Sequence, residues 1–423
     1  MASEKLISDF IEEISMGPFG SDITVDNYVS NGVPVLNGSN VSGFKLTEES
    51  FNYVSEDKAK SFRKAIARRG DVVITHRGTL GQIAYIPEDS KFEKYVISQS
   101  QFRIRFNQAI DPRYLVYLFH TDYGRKKLLS FKNHVGVPAL AQATTNFRNL
   151  KIALHDFEEQ KTIADFISNL QGKIELNNRI NAELEAMAKT IYDYWFVQFD
   201  FPDISGKPYK SSGGTMVWNE ELKREVPEGW EVKQMGTLGE FKNGVNYNPS
   251  EPGDIPCPII NVRNISASSY FLKNEDLDII YLDKSDVKKY SVHESSIIIA
   301  RSGIPGATRL IADFEKNTLY CGFAIHFDLN RVAYRIPVFF FLKSIEQQIE
   351  NGSGGTIMKN VNQGTLGALK MPLPIVMDIV LSFNDLINPL FNRINLIQKE
   401  NQQLSSLRDW LLPMLMNGQV RVK

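Results

Sequence analysis

The side chains of this chain that are best placed to bind a ligand lie in two polar turns, and their chemistry is hydrogen bonding. The two turns, each at the end of an apolar run, contain His76, Arg77, Gly78 and Thr79 in the first and Arg301, Ser302 and Gly303 in the second. An arginine fork can bind both acceptors on the major-groove edge of guanine, and glycine lets the backbone approach a ligand closely. Both turns are therefore predicted to contact the edges of DNA bases.

Further polar residues cluster in equivalent segments of the two halves of the sequence. The candidates for DNA binding are Asn37, Ser39, Asn40, Ser98, Gln99, Gln101, Thr144, Thr145, Asn146 and Arg148 in the first half, and Asn261, Arg263, Asn264, Lys359, Asn360 and Asn362 in the second. Asparagine and glutamine can read adenine through both atoms of the amide. For any single residue the commoner role is to cap a turn or a helix. Because the clusters occur twice, binding is favoured for the set.

The sequence contains no catalytic motif that supports an enzyme. A phosphate-binding loop and a His-Glu-x-x-His motif are missing, and the six histidines show no ligand spacing, so no metal site is predicted. The segment Asp111–Tyr114 is similar to the Asp/Asn-Pro-Pro-Tyr signature of adenine methyltransferases, but arginine replaces the second proline. We interpret it as the start of a helix, with proline in the first turn.

An internal repeat organises the whole chain. The sequence GVPVLNGSNVS at residues 32–42 corresponds to DIPCPIINVRNIS at 254–266, and RGDVVITHRGTLGQIAYI at 69–86 corresponds to ESSIIIARSGIPGATRLI at 294–311. Each copy ends in an amphipathic segment that contains Asn-Arg-Ile, at residues 178–180 and 392–394. A two-fold repeat predicts a pseudo-symmetric molecule, which suits a two-fold ligand such as duplex DNA.

Two long helices are predicted to position these turns. Their apolar residues alternate in steps of four and three, as in a coiled coil, with Asn177 and Asn401 at seam positions that can fix the register. We expect the two helices to pair antiparallel. The predicted organisation is a globular domain at 1–155, a central helix that acts as a spacer at 156–199, a linker at 200–225, a second globular domain at 226–375 and a C-terminal helix at 376–423. A short amphipathic helix is predicted at Lys5–Ile14.

Composition is that of an ordinary globular protein, with 423 residues and 43% apolar residues. The formal net charge of −1 argues against binding of nucleic acid by charge alone. Residues 58–155, however, carry 18 basic and 6 acidic side chains, and Arg103 and Arg105 belong to this basic half. No membrane-spanning run or signal peptide is recognisable, so a cytoplasmic location is expected.

The repeat, the seams and the turns together resemble the specificity subunit of a type I restriction–modification enzyme, over essentially the whole length. The segments that carry the resemblance are Val226–Trp230, Gly78–Gly81 with its counterpart Gly303–Gly306, Phe157–Lys161, Tyr194–Phe196 and the twin Asn-Arg-Ile. The second copy departs from the pattern at Val376–Ile379 and at Asp409–Leu411, which leaves the edge of its helix undefined.

The resemblance implies an α+β fold with two pseudo-symmetric globular α/β target-recognition domains, separated by two long antiparallel coiled-coil helices. Each domain would read one half of a bipartite, asymmetric sequence in double-stranded DNA. The helices would dock two methyltransferase subunits, which bring S-adenosylmethionine, while restriction and translocase subunits bring ATP and Mg²⁺. The chain itself would bind no cofactor and catalyse nothing. The alternatives are a coiled-coil scaffold with two protein-binding modules and an enzyme whose site carries no recognisable motif.

Overall fold

A computed structural model describes residues 3–18, 20, 22–132, 138–247, 253–273, 277–312, 314–350 and 361–422. The chain forms two compact units. The first contains Met1–Glu175 and Gln402–Lys423, and the second contains Leu176–Asn401. Across the described part of the chain, no helix combines the length and the apolar character that a membrane span requires.

The first unit contains a four-stranded sheet, a five-stranded sheet and a two-stranded ribbon. Its strands are β1 (Ser3–Leu6), β2 (Ile11–Met16), β3 (Tyr28–Val29), β4 (Val33–Val35), β5 (Asn52–Val54), β6 (Ile66–Arg68), β7 (Val72–Thr75), β8 (Ile83–Tyr85), β9 (Lys94–Val96), β10 (Gln101–Phe106) and β11 (Lys151–Leu154). Its helices are α1 (Glu56–Ser61), α2 (Pro112–His120), α3 (Asp122–Leu129), α4 (Ala143–Arg148) and the first part of α5 (Phe157–Tyr192), with 3-10 turns at Ile7–Phe10, Val25–Asn27, Gly38–Val41 and Arg63–Ala65. The strand orders are β2-β10-β7-β8, β3-β5-β4-β9-β6 and β1-β11.

Strand β7 shows why these elements stack in layers. All four of its residues are buried, and alternate side chains point to opposite faces of the sheet. Val72 and Ile74 belong to the core that contains α2, whereas Val73 belongs to a second core with Tyr95 and Ile97. The four-stranded sheet therefore has apolar residues on both faces and lies between helices and the five-stranded sheet.

The second unit repeats this arrangement. Its strands are β12 (Met216–Asn219), β13 (Arg224–Pro227), β14 (Trp230–Gln234), β15 (Gly239–Asn243), β16 (Ile255–Ile260), β17 (Asp278–Leu282), β18 (Ile297–Ala300), β19 (Thr308–Leu310), β20 (Leu319–Tyr320), β21 (Ala324–Leu329) and β22 (Lys370–Pro374). Its helices are α6 (Met235–Leu238), α7 (Val262–Ser266), α8 (Lys284–Tyr290), α9 (Arg335–Glu350), α10 (Gln363–Gly367) and α11 (Met377–Met416), which continues into the first unit, with a π-helical turn at Asp193–Val197 and a 3-10 turn at Val332–Tyr334.

Sheet topology confirms the internal repeat and the mixed fold class. The order β15-β21-β18-β19 in the second unit matches β2-β10-β7-β8 in the first, and the ribbon β14-β22 matches β1-β11. The second sheets correspond as well, because β4 pairs in parallel with β9 and β16 pairs in parallel with β20. Each unit is therefore built on the same α/β plan.

Helices α5 and α11 run antiparallel where they pack in the second unit. Asn177 is buried, and its amide donates 2.8 Å hydrogen bonds to Asn401 Oδ1 and Glu400 Oε2. Further along, the rings of Trp195 and Phe383 lie 5.6 Å apart. Because the sequence numbers rise along one helix while they fall along the other, the antiparallel pairing is confirmed. The two asparagines bind each other across it, and their role in setting the register stays a prediction.

The predicted helix at Lys5–Ile14 is wrong. The segment forms β1, a 3-10 turn and β2, since Lys5 pairs with Ile152 on β11 and Ile14 pairs with Ile104 on β10. Apolar residues at helical spacing in a ten-residue segment also fit two short strands with a turn between them. Pairing with distant strands decides the outcome here.

A glycine inside α5 offers a test of the helix. Gly172 is exposed, and a Cβ atom added there would meet no atom within 4 Å. Alanine should stabilise the helix by about 1 kcal/mol because it restricts the unfolded backbone more than glycine does. We expect Gly172→Ala to raise the urea midpoint of the full chain, and an unchanged or lower midpoint would contradict the helix assignment.

Candidate nucleic-acid interface

Two polar turns of the first unit meet at one end of the four-stranded sheet. Strands β7 and β10 are antiparallel with Thr75 opposite Gln101, so the turn after β7 lies beside the turn before β10. His76 Nε2 lies 3.1 Å from the carbonyl oxygen of Gln99, and Gln101 Nε2 donates to the carbonyl oxygen of Asn37 at 3.1 Å. The structure therefore brings the predicted residues around positions 37, 76 and 99 together.

The segment that leads into α4 joins the same end of the sheet. The backbone N–H of Leu140 donates to the carbonyl oxygen of His76 at 2.9 Å, and Arg77 forms a β-bridge with Ala139. Asn146 uses its side-chain amide to donate to the carbonyl oxygen of Ala141, which fixes the start of α4. The helix is thereby attached to the turn that holds Arg77.

The predicted residues of the first unit divide into an exposed and a buried group. The exposed residues are Ser39, Arg77, Gly78, Thr79, Gln99, Thr145 and Arg148, with Asn37, Ser98, Thr144 and Asn146 half-buried. The side chain of Arg77 has no hydrogen bond or ion pair within the part of the chain that the structure describes. Its guanidinium is therefore available to a ligand at this surface.

The buried group supports the turns from below. Asn40 is 1% exposed, accepts a hydrogen bond from Asn37 N and donates to the carbonyl oxygens of Thr47 and Glu49. Gln101 is fully buried. Burial also lowers the pKa of the His76 imidazole, because the charged form loses its hydration. The structure places Asn40, His76 and Gln101 beneath the turns, where each makes hydrogen bonds inside the protein, and their direct contact with DNA stays a prediction.

Glycines with positive φ give both turns the same backbone shape. Gly78 and Gly81 have φ of 84° and 77°, and the corresponding Gly303 and Gly306 have φ of 77° and 85°. Residues other than glycine rarely adopt this region without strain. The shared glycines explain how turns with different side chains keep one conformation.

Gly78 provides a clean test of this requirement. A Cβ at Gly78 would meet no atom within 4 Å, so Gly78→Ala should cost stability through the backbone alone, by about 1 kcal/mol. The expected sign is opposite to that of Gly172→Ala, and urea unfolding of the two variants side by side measures both. A Gly78→Ala variant as stable as the wild type would show that the turn does not need positive φ.

In the second unit the exposed polar group is smaller. Arg301 is exposed, Ser302 is half-buried, and neither side chain has a hydrogen bond or ion pair within the described residues. Asn264 is buried, and its side-chain oxygen accepts a hydrogen bond from the backbone N–H of Asn261. The side chains of Asn261 and Arg263 both donate to the carboxylate of Asp278 at 2.8 Å. Asn264 thus occupies the same supporting position as Asn40, and its direct contact with DNA also stays a prediction.

Three further predicted residues lie in or near the segment that precedes α10. Asn362 is exposed and accepts a hydrogen bond from Thr365 N as the N-cap of α10. Lys359 and Asn360 lie outside the described residues.

One exposed aromatic residue of this surface was not predicted from the sequence. Phe323 is 62% exposed, and its carbonyl oxygen accepts a 2.8 Å hydrogen bond from the backbone N–H of Arg301. The sequence signal is weak, since a single phenylalanine after Cys321-Gly322 also fits the start of a strand. An exposed ring beside Arg301 adds an apolar contact to this surface.

The basic half of the first unit contributes less charge to this surface than its sequence indicates. Arg103 is 2% exposed and forms ion pairs with Glu13 and Asp71. Arg105 Nε donates to Asp71 Oδ1 at 2.8 Å. Both guanidinium groups are neutralised within the protein, so they are not available to phosphates.

Comparison with known proteins gives a consistent family relationship. The family model for the type I restriction modification DNA specificity domain matches residues 18–186 and again residues 227–406. The chain is 26% identical over 375 residues to the MjaIX specificity subunit of Methanocaldococcus jannaschii, which covers 88% of this chain and 82% of that protein. It is 23% identical over 478 aligned positions to the HindI specificity subunit of Haemophilus influenzae, with 97% and 99% covered.

A solved structure shows the same fold. The crystal structure of the type I restriction–modification S subunit from M. genitalium superposes with a TM-score of 0.56, at 13% sequence identity, and covers 98% of this chain and 96% of that chain.

Proposed function

The chain belongs to the family of type I restriction–modification DNA specificity subunits, and from this premise we propose that its two repeats read the two halves of a bipartite target. A specificity subunit is the non-catalytic component of its complex. Each unit would contact one half-site of duplex DNA through the polar end of its four-stranded sheet. Because the two units carry different side chains there, the two half-sites would differ and the target would be asymmetric.

The observation that carries this proposal is one turn shape that presents two different sets of exposed or half-buried polar side chains. The turn of the first unit presents Arg77 and Thr79, and the equivalent turn of the second presents Arg301 with Ser302. An exposed arginine at such a turn, with no side-chain partner among the described residues, suits bidentate binding to guanine. The ring of Phe323 suits apolar contact with the methyl group of thymine.

Partner docking is proposed for the long helices. Large apolar side chains stay exposed along them, namely Leu176 and Met187 on α5 and Leu386, Leu396 and Trp410 on α11. Exposed aromatic and aliphatic side chains of this size are typical anchors of protein interfaces. We assign them to two methyltransferase subunits, which would supply S-adenosylmethionine, while restriction subunits would supply ATP and Mg²⁺. The complex would act in the cytoplasm.

Selection of DNA from a random duplex library tests the proposal. The full chain, purified with its methyltransferase subunits, should enrich sequences with two fixed elements separated by an unspecified gap. Enrichment of one continuous element would show that only one unit reads DNA. Loss of all enrichment, with the complex intact, would favour a protein-binding scaffold instead.

A further inference from the structure

A cluster of metal-ligating side chains lies in the second unit, on the sheet that carries Arg301. His326 and Asp328 lie two residues apart on β21, and His293 precedes β18. One potential ligand atom from each residue lies within 4.8 Å of the others. We propose that His293, His326 and Asp328 bind a divalent transition-metal ion of the Zn²⁺ class.

The distances suit this ion. Zn²⁺ binds imidazole nitrogens and carboxylate oxygens at about 2.0–2.2 Å, and tetrahedral geometry then places neighbouring ligand atoms roughly 3.3 Å apart. His293 Nε2 and Asp328 Oδ1 are 3.3 Å apart in the structure. The side chains of these two residues are 44% and 37% exposed, so an ion can reach them from solvent. Three protein ligands leave the fourth position to a water molecule.

His326 is the residue that most needs a partner. It is 3% exposed, and its Nε2 atom has no hydrogen-bond partner among the residues that the structure describes. A buried imidazole nitrogen without a partner is costly, and nearly all buried polar groups in proteins are satisfied. An ion bound by the imidazole of His326 would give this residue a partner that the described residues do not provide.

Neighbouring groups orient the imidazole ring of His293 for metal binding. Ser295 Oγ lies 2.6 Å from His293 Nδ1, which leaves Nε2 directed to Asp328. Metal-bound histidines commonly make such a hydrogen bond through the other ring nitrogen. The ammonium of Lys242 lies 3.4 Å from Asp328 and 3.1 Å from Glu240. This ammonium competes with a metal ion for the carboxylate of Asp328. When Asp328 binds the ion, Glu240 can keep the ammonium paired.

The first unit has cationic groups at the equivalent place. Ala324 pairs with Ala300 as Gln101 pairs with Thr75, so His326 and Asp328 correspond to Arg103 and Arg105. Those two guanidinium groups bind the carboxylate of Asp71. At this position of the sheet the first repeat therefore has two guanidinium groups, whereas the second repeat has side chains that can bind a metal cation.

Titration of the metal-free full chain with Zn²⁺ tests the proposal. We expect one ion per chain by isothermal titration calorimetry, and a visible absorption spectrum of tetrahedral Co²⁺ in the same site. His293→Gln and Asp328→Asn should each weaken Zn²⁺ binding by at least ~10-fold, the lower end of what a lost site contact costs. Lys242→Met should strengthen binding, because it removes the competing ammonium.

Asp283→Asn is the matched control, because Asp283 is exposed in the same unit at the N-cap of α8. It should bind Zn²⁺ like the wild type. The proposal is overturned if the wild type binds no ion, or if His293→Gln and Asp328→Asn bind as tightly as Asp283→Asn. Both substituted side chains are partly exposed, so the test does not depend on a variant of buried His326. The titration contains no DNA, and its outcome is independent of base recognition.

Discussion

Arg77→Ala is expected to relax one half of the DNA target and to leave the other half unchanged. The guanidinium is exposed and unpaired within the described residues, at a turn whose backbone is fixed by Gly78 and Gly81. Loss of one bidentate contact to guanine should reduce discrimination at that base pair by about 1–3 kcal/mol, or roughly 5- to 150-fold. Arg301→Ala should have the same effect on the other half-site.

Binding of the methyltransferase-containing complex to duplexes with single base changes in each half-site measures this effect. Arg68→Ala and Arg331→Ala are matched controls, since both residues are exposed and lie at the opposite ends of β7 and β21 from the turns. The controls should keep the specificity of the wild type. If Arg77→Ala weakened binding uniformly across all sequences, Arg77 would contact phosphates and not bases.

The repeat and the helix seams could be predicted because their patterns are local or recur along the chain. Steps of three and four residues place Ile163, Ile167 and Ile174 on one helix face, and all three are buried. The polar positions Asn177 and Asn401 stood out against that apolar seam, and the structure pairs them.

The sequence could not separate the polar turn residues that reach the surface from those that support the turn. Asn37 and Asn40 look equally suited to DNA in the sequence, yet Asn40 is buried and caps the turn. The same holds for Asn261 and Asn264. The amide of an asparagine side chain can hydrogen-bond to the protein backbone or to a DNA base with the same atoms. Only the fold therefore decides which of the two it contacts.

Residues brought together by strand pairing escaped prediction. His293 and His326 are 33 positions apart, and no local motif connects them. Arg103 and Arg105 counted toward a basic surface, but Asp71, more than 30 positions earlier, neutralises them in the interior. Charge counted along a sequence does not include the partners that a sheet provides.

Glu346→Ala is expected to destabilise the second unit by about 3–5 kcal/mol, because it leaves a buried arginine without its counter-charge. Glu346 and Arg309 are each 6% exposed and are joined at 3.0 Å. The same carboxylate accepts hydrogen bonds from Lys343 at 2.8 Å and from the backbone N–H of Thr308 at 3.0 Å. The network attaches α9 to β19, the strand that follows the turn of Arg301, so recognition of that half-site should fall as well.

Urea unfolding of the full chain measures the loss, with Gln347→Ala, an exposed neighbour on α9, as the matched control. A second variant separates the loss of an attraction from the cost of an unpaired charge. Replacing both partners, in Arg309→Met with Glu346→Met, removes the buried Arg309–Glu346 pair and should recover part of the stability, since apolar side chains of similar volume need no counter-ion, while Lys343 still loses its carboxylate. Equal midpoints for Glu346→Ala and Gln347→Ala would show that the carboxylate does not stabilise the unit. A double variant no more stable than Glu346→Ala would mean that the contacts of the carboxylate with Thr308 N and with the ammonium of Lys343, and not the charge of Arg309, make it necessary.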